Sequence, residues 1–251
     1  MIDNRLVIIP IVILAGLGLI LVANIYSAPA PGGTGALQKT AVSLQDTPTI
    51  AINQSIALPE PDHSTAKTLD DVLLNRRSGR QYQNSALTLP QVSKILWAGQ
   101  GITNKTTGKR TAPSAMATYP LTLYLAAHNI TGLPQGVYAY QPAGHSLVMY
   151  EDGAGMSALL QAEGQNSALT APATIFIVAN YTPFAQFGND MALQSTSIEA
   201  GHVAQNVLLM ATELNLGGVP MTGYNATSVE NALSLDKNHH AIYTIAFGVS
   251  Q

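Results

Sequence analysis

Residues 173–179 read ATIFIVA, a run with a single weakly polar member. Successive side chains of a strand point to opposite faces, so such a run has to be covered on both sides. The segments around it supply partners. LTLYLAA (121–127), GVYAY (136–140), SLVMYE (146–151), GGVPMTGY (217–224) and AIYTIAFGV (241–249) are strand-like. TLDDVLLNRR and LTLPQVSKILWAGQGI read as helices, followed later by a long one over about 190–216 and a short one at SVENALSL. Thr68, with Asp71 three residues on, forms a capping-box variant, and Leu69, Val72 and Leu73 share a face. Thr88 caps the second helix, Pro90 suits its first turn, and Val92, Ile95 and Leu96 form its apolar stripe before Gly99 and Gly101 end it. Helices and strands alternate without a strict βαβ repeat, so the expected class is α+β.

The chain has 251 residues, 47% of them hydrophobic, enough to bury a sizeable core. Only 10% are charged and the net charge is −3, so there is no basic surface of the kind that binds nucleic acid. The absence of cysteine excludes a disulfide framework, thiolate metal sites and a thiol nucleophile. His239 and His240 have no carboxylate at ligand spacing, so no metal is expected.

Leu6 to Ile25 carries no charge over about the length that spans a bilayer. The expectation is an N-terminal transmembrane helix in residues 1–26, with a signal peptide as the rival because Ala28–Ala30 suits cleavage. A Pro-, Gly-, Ser- and Thr-rich linker follows over 27–57, and the folded domain occupies 58–251. Arg5 before the span weakly places the domain outside the cytoplasm. The five N-x-S/T sites at Asn53, Asn104, Asn129, Asn180 and Asn225 agree with that side.

Against this charge-poor background, NRRSGRQY (75–82) holds three of the chain's five arginines, Arg76, Arg77 and Arg80. The last carbonyls of the helix before it can orient the first arginine, Ser78 adds a hydroxyl and Gly79 allows close backbone approach. Guanidinium groups bind phosphate oxygens by bidentate, charge-assisted bonds, so the cluster suits a phosphate ester of unspecified kind. On the long helix Glu199, His202 and Gln205 are read as surface or interface polarity beside apolar Ile198, Val203, Val207 and Leu208.

RRSGRQY, together with LTLPQVSKILWAGQGI, APSAMATYPLTLYL and IEAGHVAQNVLLMATELNLGGVPMTGY in this order, resembles the nitroreductase family of flavoproteins, in its SagB-type dehydrogenase branch. The resemblance covers roughly 58–249. It implies a mixed central sheet flanked by helices, a long dimer-interface helix and FMN held by a homodimer. Arg76 and Ser78 would contact the phosphate and ribityl chain, Arg77 would support the phosphate end, and Arg80 would lie by the flavin pyrimidine edge. Pro113, Ser114 and Ala115 of the second subunit would line the ring, and the backbone amides of Thr222 and Gly223 would face it. NAD(P)H or a quinone would donate electrons to a small-molecule acceptor. Two departures stand out: Met116 occupies a position that is usually glycine in that branch, and no Arg or Lys follows Lys237. Either one phosphate contact is missing, or Lys109 or Arg110 substitutes for the C-terminal cation. An azoline dehydrogenase acting on a modified peptide is a second reading, and a non-catalytic flavin-binding or interaction module a third.

Overall fold

The computed structural model describes residues 9–14, 19–24 and 51–251, and the chain divides into two compact units, Met1–Asp46 and Thr47–Gln251. In the first unit, β1 (Ile9–Leu14) and β2 (Leu19–Asn24) pair antiparallel, with Ile9 opposite Asn24 and Leu14 opposite Leu19. The expected helix over 6–25 is therefore given as strands. No helix among the described residues is long and apolar enough to cross a membrane. The reason lies in the sequence: an apolar run without a polar face has no helical period to enforce, and its Ile and Val residues also suit strands. The rest of that stretch, and the expected linker up to residue 50, lie outside the described residues.

The second unit is built on a seven-stranded sheet. Its strands are β3 (Ser55–Ala57), β7 (Leu121–Ala127), β9 (Gly136–Gln141), β10 (Ser146–Glu151), β11 (Ala173–Asn180), β12 (Gly217–Met221) and β13 (His239–Gly248). The short strands β4 (Leu87–Thr88) and β8 (Ile130–Thr131) pair with each other, as do β5 (Ile102–Asn104) and β6 (Lys109–Arg110). The sheet order is β12-β13-β11-β7-β9-β10-β3, and every neighbouring pair is antiparallel. This corrects the expected mixed sheet. Among the described residues, parallel pairing is confined to β4–β8 and to an isolated bridge between Ser78 and Gly218. Ser55–Ala57, which falls in the expected linker, is the edge strand on β10, and Leu58 is buried in the core. Three residues are too few to show a period in sequence.

The helices are α1 (Leu69–Asn75), α2 (Leu89–Gln100), α3 (Gly153–Glu163), α4 (Asn166–Thr170), α5 (Asn189–Glu213) and α6 (Ala226–Ala232). ATIFIVA lies inside β11, between β13 and β7, and faces two cores. Ile175 and Ile177 pack with α2 and α5, through Val92, Ile95, Leu96, Val203 and Val207. Phe176 and Val178 pack with α3 and α6, through Met156, Leu159, Leu160, Val229 and Leu233. The alternation of one strand thus sets both layers. Both expected N-caps form complete capping boxes, Thr68 with Asp71 and Thr88 with Gln91. Gly99 does not end α2 but lies within it. A Cβ there would lie 3.2 Å from side-chain carbons of both Leu123 and Val207, so glycine lets α2 approach β7 and α5.

Two expected apolar faces differ. On α1 only Val72 is buried, while Leu69 and Leu73 are exposed. On α5 Ile198 is 55% exposed and Glu199, one residue on, is 2% exposed. Glu199 precedes Val203 by one helical turn and Val207 by two, so it stands on the buried stripe.

Candidate functional site

Segment 76–83 is laid along the open edge of the sheet. Ser78 bridges Gly218 in parallel, and the Gly79 N–H donates to the Gly218 carbonyl at 3.2 Å. A Cβ on Gly79 would sit 3.2 Å from Ser250 Oγ and 3.4 Å from Gly217 Cα, so glycine lets the segment approach β12 closely. Tyr82 anchors the segment from beneath. Its ring is buried and its hydroxyl donates to the carbonyls of Gly79 at 2.9 Å and Ala246 at 3.1 Å. The chain end pairs on the other side, with Tyr82 opposite Ser250 and the Gln83 N–H bonded to the Val249 carbonyl at 2.8 Å. A sequence break between helix and loop thus becomes a fixed ledge.

The ledge carries the arginines. Arg76 is half-buried, and Arg77 and Arg80 are exposed. None of the three makes an ion pair among the described residues. It is Arg77, not Arg76, whose guanidinium meets the end of α1: Nη1 donates to the Leu74 carbonyl at 2.9 Å and the Arg76 carbonyl at 2.8 Å. Arg77 lines a cavity of about 490 Å³ with Lys67, Gly79, Thr212, Asn215 and Gly217. Lys67 reaches it by donating to the Thr212 carbonyl at 2.6 Å and Asn215 Oδ1 at 2.8 Å. Lys67 is thus a second cation at this cavity. Sequence reasoning missed it because it precedes the first helix, and only the fold brings it to the end of α5. The expected substitutes are elsewhere: Lys109 is in the β5–β6 hairpin, and Arg110 Nη1 donates to Gln100 Oε1 at 2.8 Å.

At the far end of β12, Thr222 and Gly223 are exposed, and no described backbone carbonyl accepts from either N–H. A Cβ on Gly223 would meet nothing within 4 Å. Two free donors beside open space, on the strand that carries the arginine ledge, suit a flat ligand with a phosphate tail. The expected residues from 76–80 and 222–223 are thus joined by one edge strand.

Pro113, Ser114 and Ala115 are not part of that ledge. They line a separate cavity of about 300 Å³ against α5, with Ser195, Ile198, Glu199 and His202. From Glu199 to Thr212 at the arginine cavity, α5 rises roughly 20 Å at about 1.5 Å per residue. His202 and Gln205 are exposed, and Asn206 Nδ2 donates to the Thr111 carbonyl at 3.4 Å. Glu199 overturns its expectation as a surface group. Its Oε1 accepts from Gln100 Nε2 at 3.2 Å, and Oε2 is buried without a hydrogen-bond partner. Burial raises its pKa, opposed by the Ser114 hydroxyl, Gln100 and the charges of Arg110 and His202.

The fold and this edge define an α+β protein with an open, cation-rich ligand ledge. A sequence model of the Nitroreductase family matches residues 73–249. A Methanocaldococcus jannaschii protein bearing the nitroreductase name is 40% identical over 176 residues, 70% of this chain and 88% of its own length. A crystal structure from Ralstonia eutropha, likewise named for nitroreductase, superposes with a TM-score of 0.71 at 28% identity, covering 84% of this chain and 96% of that one. The NADPH:FMN oxidoreductase of Vibrio harveyi shares the fold at a TM-score of 0.53 and 19% identity, covering 73% of this chain and 69% of its own. The chain belongs to the nitroreductase family. It is a flavin-dependent oxidoreductase of that family.

Proposed function

We propose that this protein is a homodimeric, membrane-attached FMN oxidoreductase that passes reducing equivalents from NAD(P)H or a quinone to a small acceptor. The observation that carries the cofactor assignment is the edge of β12: three guanidinium groups without a carboxylate partner among the described residues at one end, and two backbone donors unpaired among them at the other. Arg77 and Lys67 flank the phosphate, with Arg76 and Ser78 on the phosphate and ribityl side. The Thr222 and Gly223 amides face the ring, and Arg80 serves its pyrimidine edge, where a cation favours charge on reduced flavin. Bound FMN supplies the hydride and electron chemistry; the chain binds and orients it and shields one face. Pro113–Ala115 line a cavity apart from the arginine ledge, and the family resemblance is the reason to assign those three residues to the ring bound by a second copy. The apolar 6–25 stretch is the proposed attachment point, on its lack of charge alone, with the catalytic domain outside the cytoplasm. The azoline-dehydrogenase reading rests on the likeness of the motifs over roughly 58–249, in order and spacing, to SagB-type proteins, and oxidation of a thiazoline peptide by the purified protein would establish it.

The test is the full chain purified with FMN. A flavin spectrum with one FMN per protomer and a dimeric mass is expected. Arg77→Ala and Lys67→Ala should each weaken FMN binding about tenfold or more, the worth of one charge-assisted bond. A colourless protein that ignores added FMN would falsify the assignment.

A further inference from the structure

The loop that presents Pro113–Ala115 is strained. Met116 and Ala117 have φ of 54° and Tyr119 has φ of 47°, a left-handed backbone that L-residues avoid. Three such residues within four positions persist only where surroundings over-determine them. The restraints are visible. The Tyr119 N–H donates to Ser114 Oγ at 2.9 Å, and Thr118 Oγ1 to the Ala115 carbonyl at 2.9 Å. The Arg110 N–H donates to the Tyr119 hydroxyl at 3.3 Å, and the Arg110 guanidinium lies 4.6 Å from the centre of the Tyr119 ring.

Those restraints converge on one buried group. Arg110 is held by Gln100, and Gln100 by Glu199. Ser114, which pins Tyr119 at the other end of the loop, lines the same cavity as Glu199. The path leaves α5 at Glu199, crosses α2 and β6, passes the loop and returns. The charged or titratable groups facing it are Arg110 from β6, Tyr119 from the loop, Tyr140 from β9 beside Arg110, and His202 on α5 itself.

We propose that Glu199 is a positioning residue: through Gln100 and Arg110 on one side and Ser114 on the other, it locks the strained loop that presents Pro113–Ala115 to a bound ligand. It thereby shapes the wall of the flavin-ring site of a second copy, and through that wall the affinity for the small acceptor. The ligand-facing part rests on the function proposed above; the lock itself does not.

Hydrogen exchange on the ligand-free full chain tests the lock. In Glu199→Ala the peptide 113–120 should exchange about tenfold faster, as expected for loss of a charge-assisted bond, with β7 and β11 unchanged. Glu199→Gln keeps an acceptor for Gln100 and should fall between wild type and Glu199→Ala. If Glu199→Ala does not fold, Glu199→Gln carries the test, with a rise of about threefold or more in that peptide. With bound FMN, excess NADH as the reductant and a small naphthoquinone as the varied acceptor, Glu199→Gln should raise the quinone KM about tenfold and leave kcat within about threefold, the split expected when ground-state positioning is lost. Unchanged exchange at 113–120, or an equal rise across β7 and β11, would overturn the lock. An unchanged KM would overturn its role toward the acceptor. A wild-type chain that takes up no FMN, yet shows the exchange pattern, would sink the function and leave the lock standing.

Discussion

Two carboxylates, Glu163 and Glu199, sit at 3% and 2% exposure, in a chain with little charge to balance them. Glu163 closes α3, where it accepts from the Gln165 N–H at 2.8 Å, Gln165 Nε2 at 2.9 Å and Thr244 Oγ1 at 3.2 Å. Burial still raises its pKa above 4.5, those bonds opposing it. The sign follows from proton linkage. A folded-state pKa above the unfolded one means the native protein holds more protons across that window. The stabilisation is complete below the unfolded value and is lost as pH rises through the folded one. Melting temperature should therefore fall as pH rises from about 4.5, the ordinary glutamate range. Glu163→Gln should flatten that decline by on the order of 2–4 °C, read by calorimetry across pH 5–8. A decline as steep in the variant as in wild type would remove Glu163 from the explanation. At this scale the sequence was partly legible. Thr68, Thr88 and the arginine cluster announced themselves by residue type. Glu199 did not, because its neighbour Ile198 has the side chain expected in a core, and only the rotation of α5 against the sheet exchanges their places.

Among the elements, the contact that organises one layer is α2 against β7 and α5. Gly99 sits there, with Leu123 and Val207 side chains already 3.2 Å from where its Cβ would be. Alanine would gain helix propensity of about 1 kcal/mol, which offsets a small shift of those neighbours. Gly99→Val forces two more carbons into the same gap and should cost about 1–3 kcal/mol in urea denaturation. A valine variant as stable as wild type would show that the two helices separate freely. Strands were legible wherever the apolar run was long, as in LTLYLAA and ATIFIVA. The helix α3 was passed over, although Asp152 caps it by accepting from the Ala154 and Gly155 N–H groups. Its apolar face, Met156, Leu159 and Leu160, is short and flanked by glycine and serine. The antiparallel order of the sheet was not legible either, since strand direction depends on which strands become neighbours.

At the level of the whole molecule, the proposed attachment to a membrane is separable from the flavin site. The two compact units divide near residue 46. On fractionation, the full chain should pellet with membranes and be released by detergent, and a chain lacking residues 1–46 should stay in the supernatant and still take up FMN. Recovery of the full chain in the supernatant would refute the attachment. The exposed Leu69, Leu73 and Leu74 of α1 and Ile198 of α5 leave apolar surface that a second copy would cover, in keeping with a ring site shared between protomers. The sequence by itself determined the class of fold, the caps of α1 and α2, the central strand and the gathering of three arginines in NRRSGRQY, because these depend on residue type and short spacing. Only the tertiary structure decided that Lys67 joins Arg77, that Arg110 turns inward to Gln100, and that Glu199 is buried under a strained loop. Each of those pairings joins residues distant in sequence or a choice of helix face, and neither is written in local pattern.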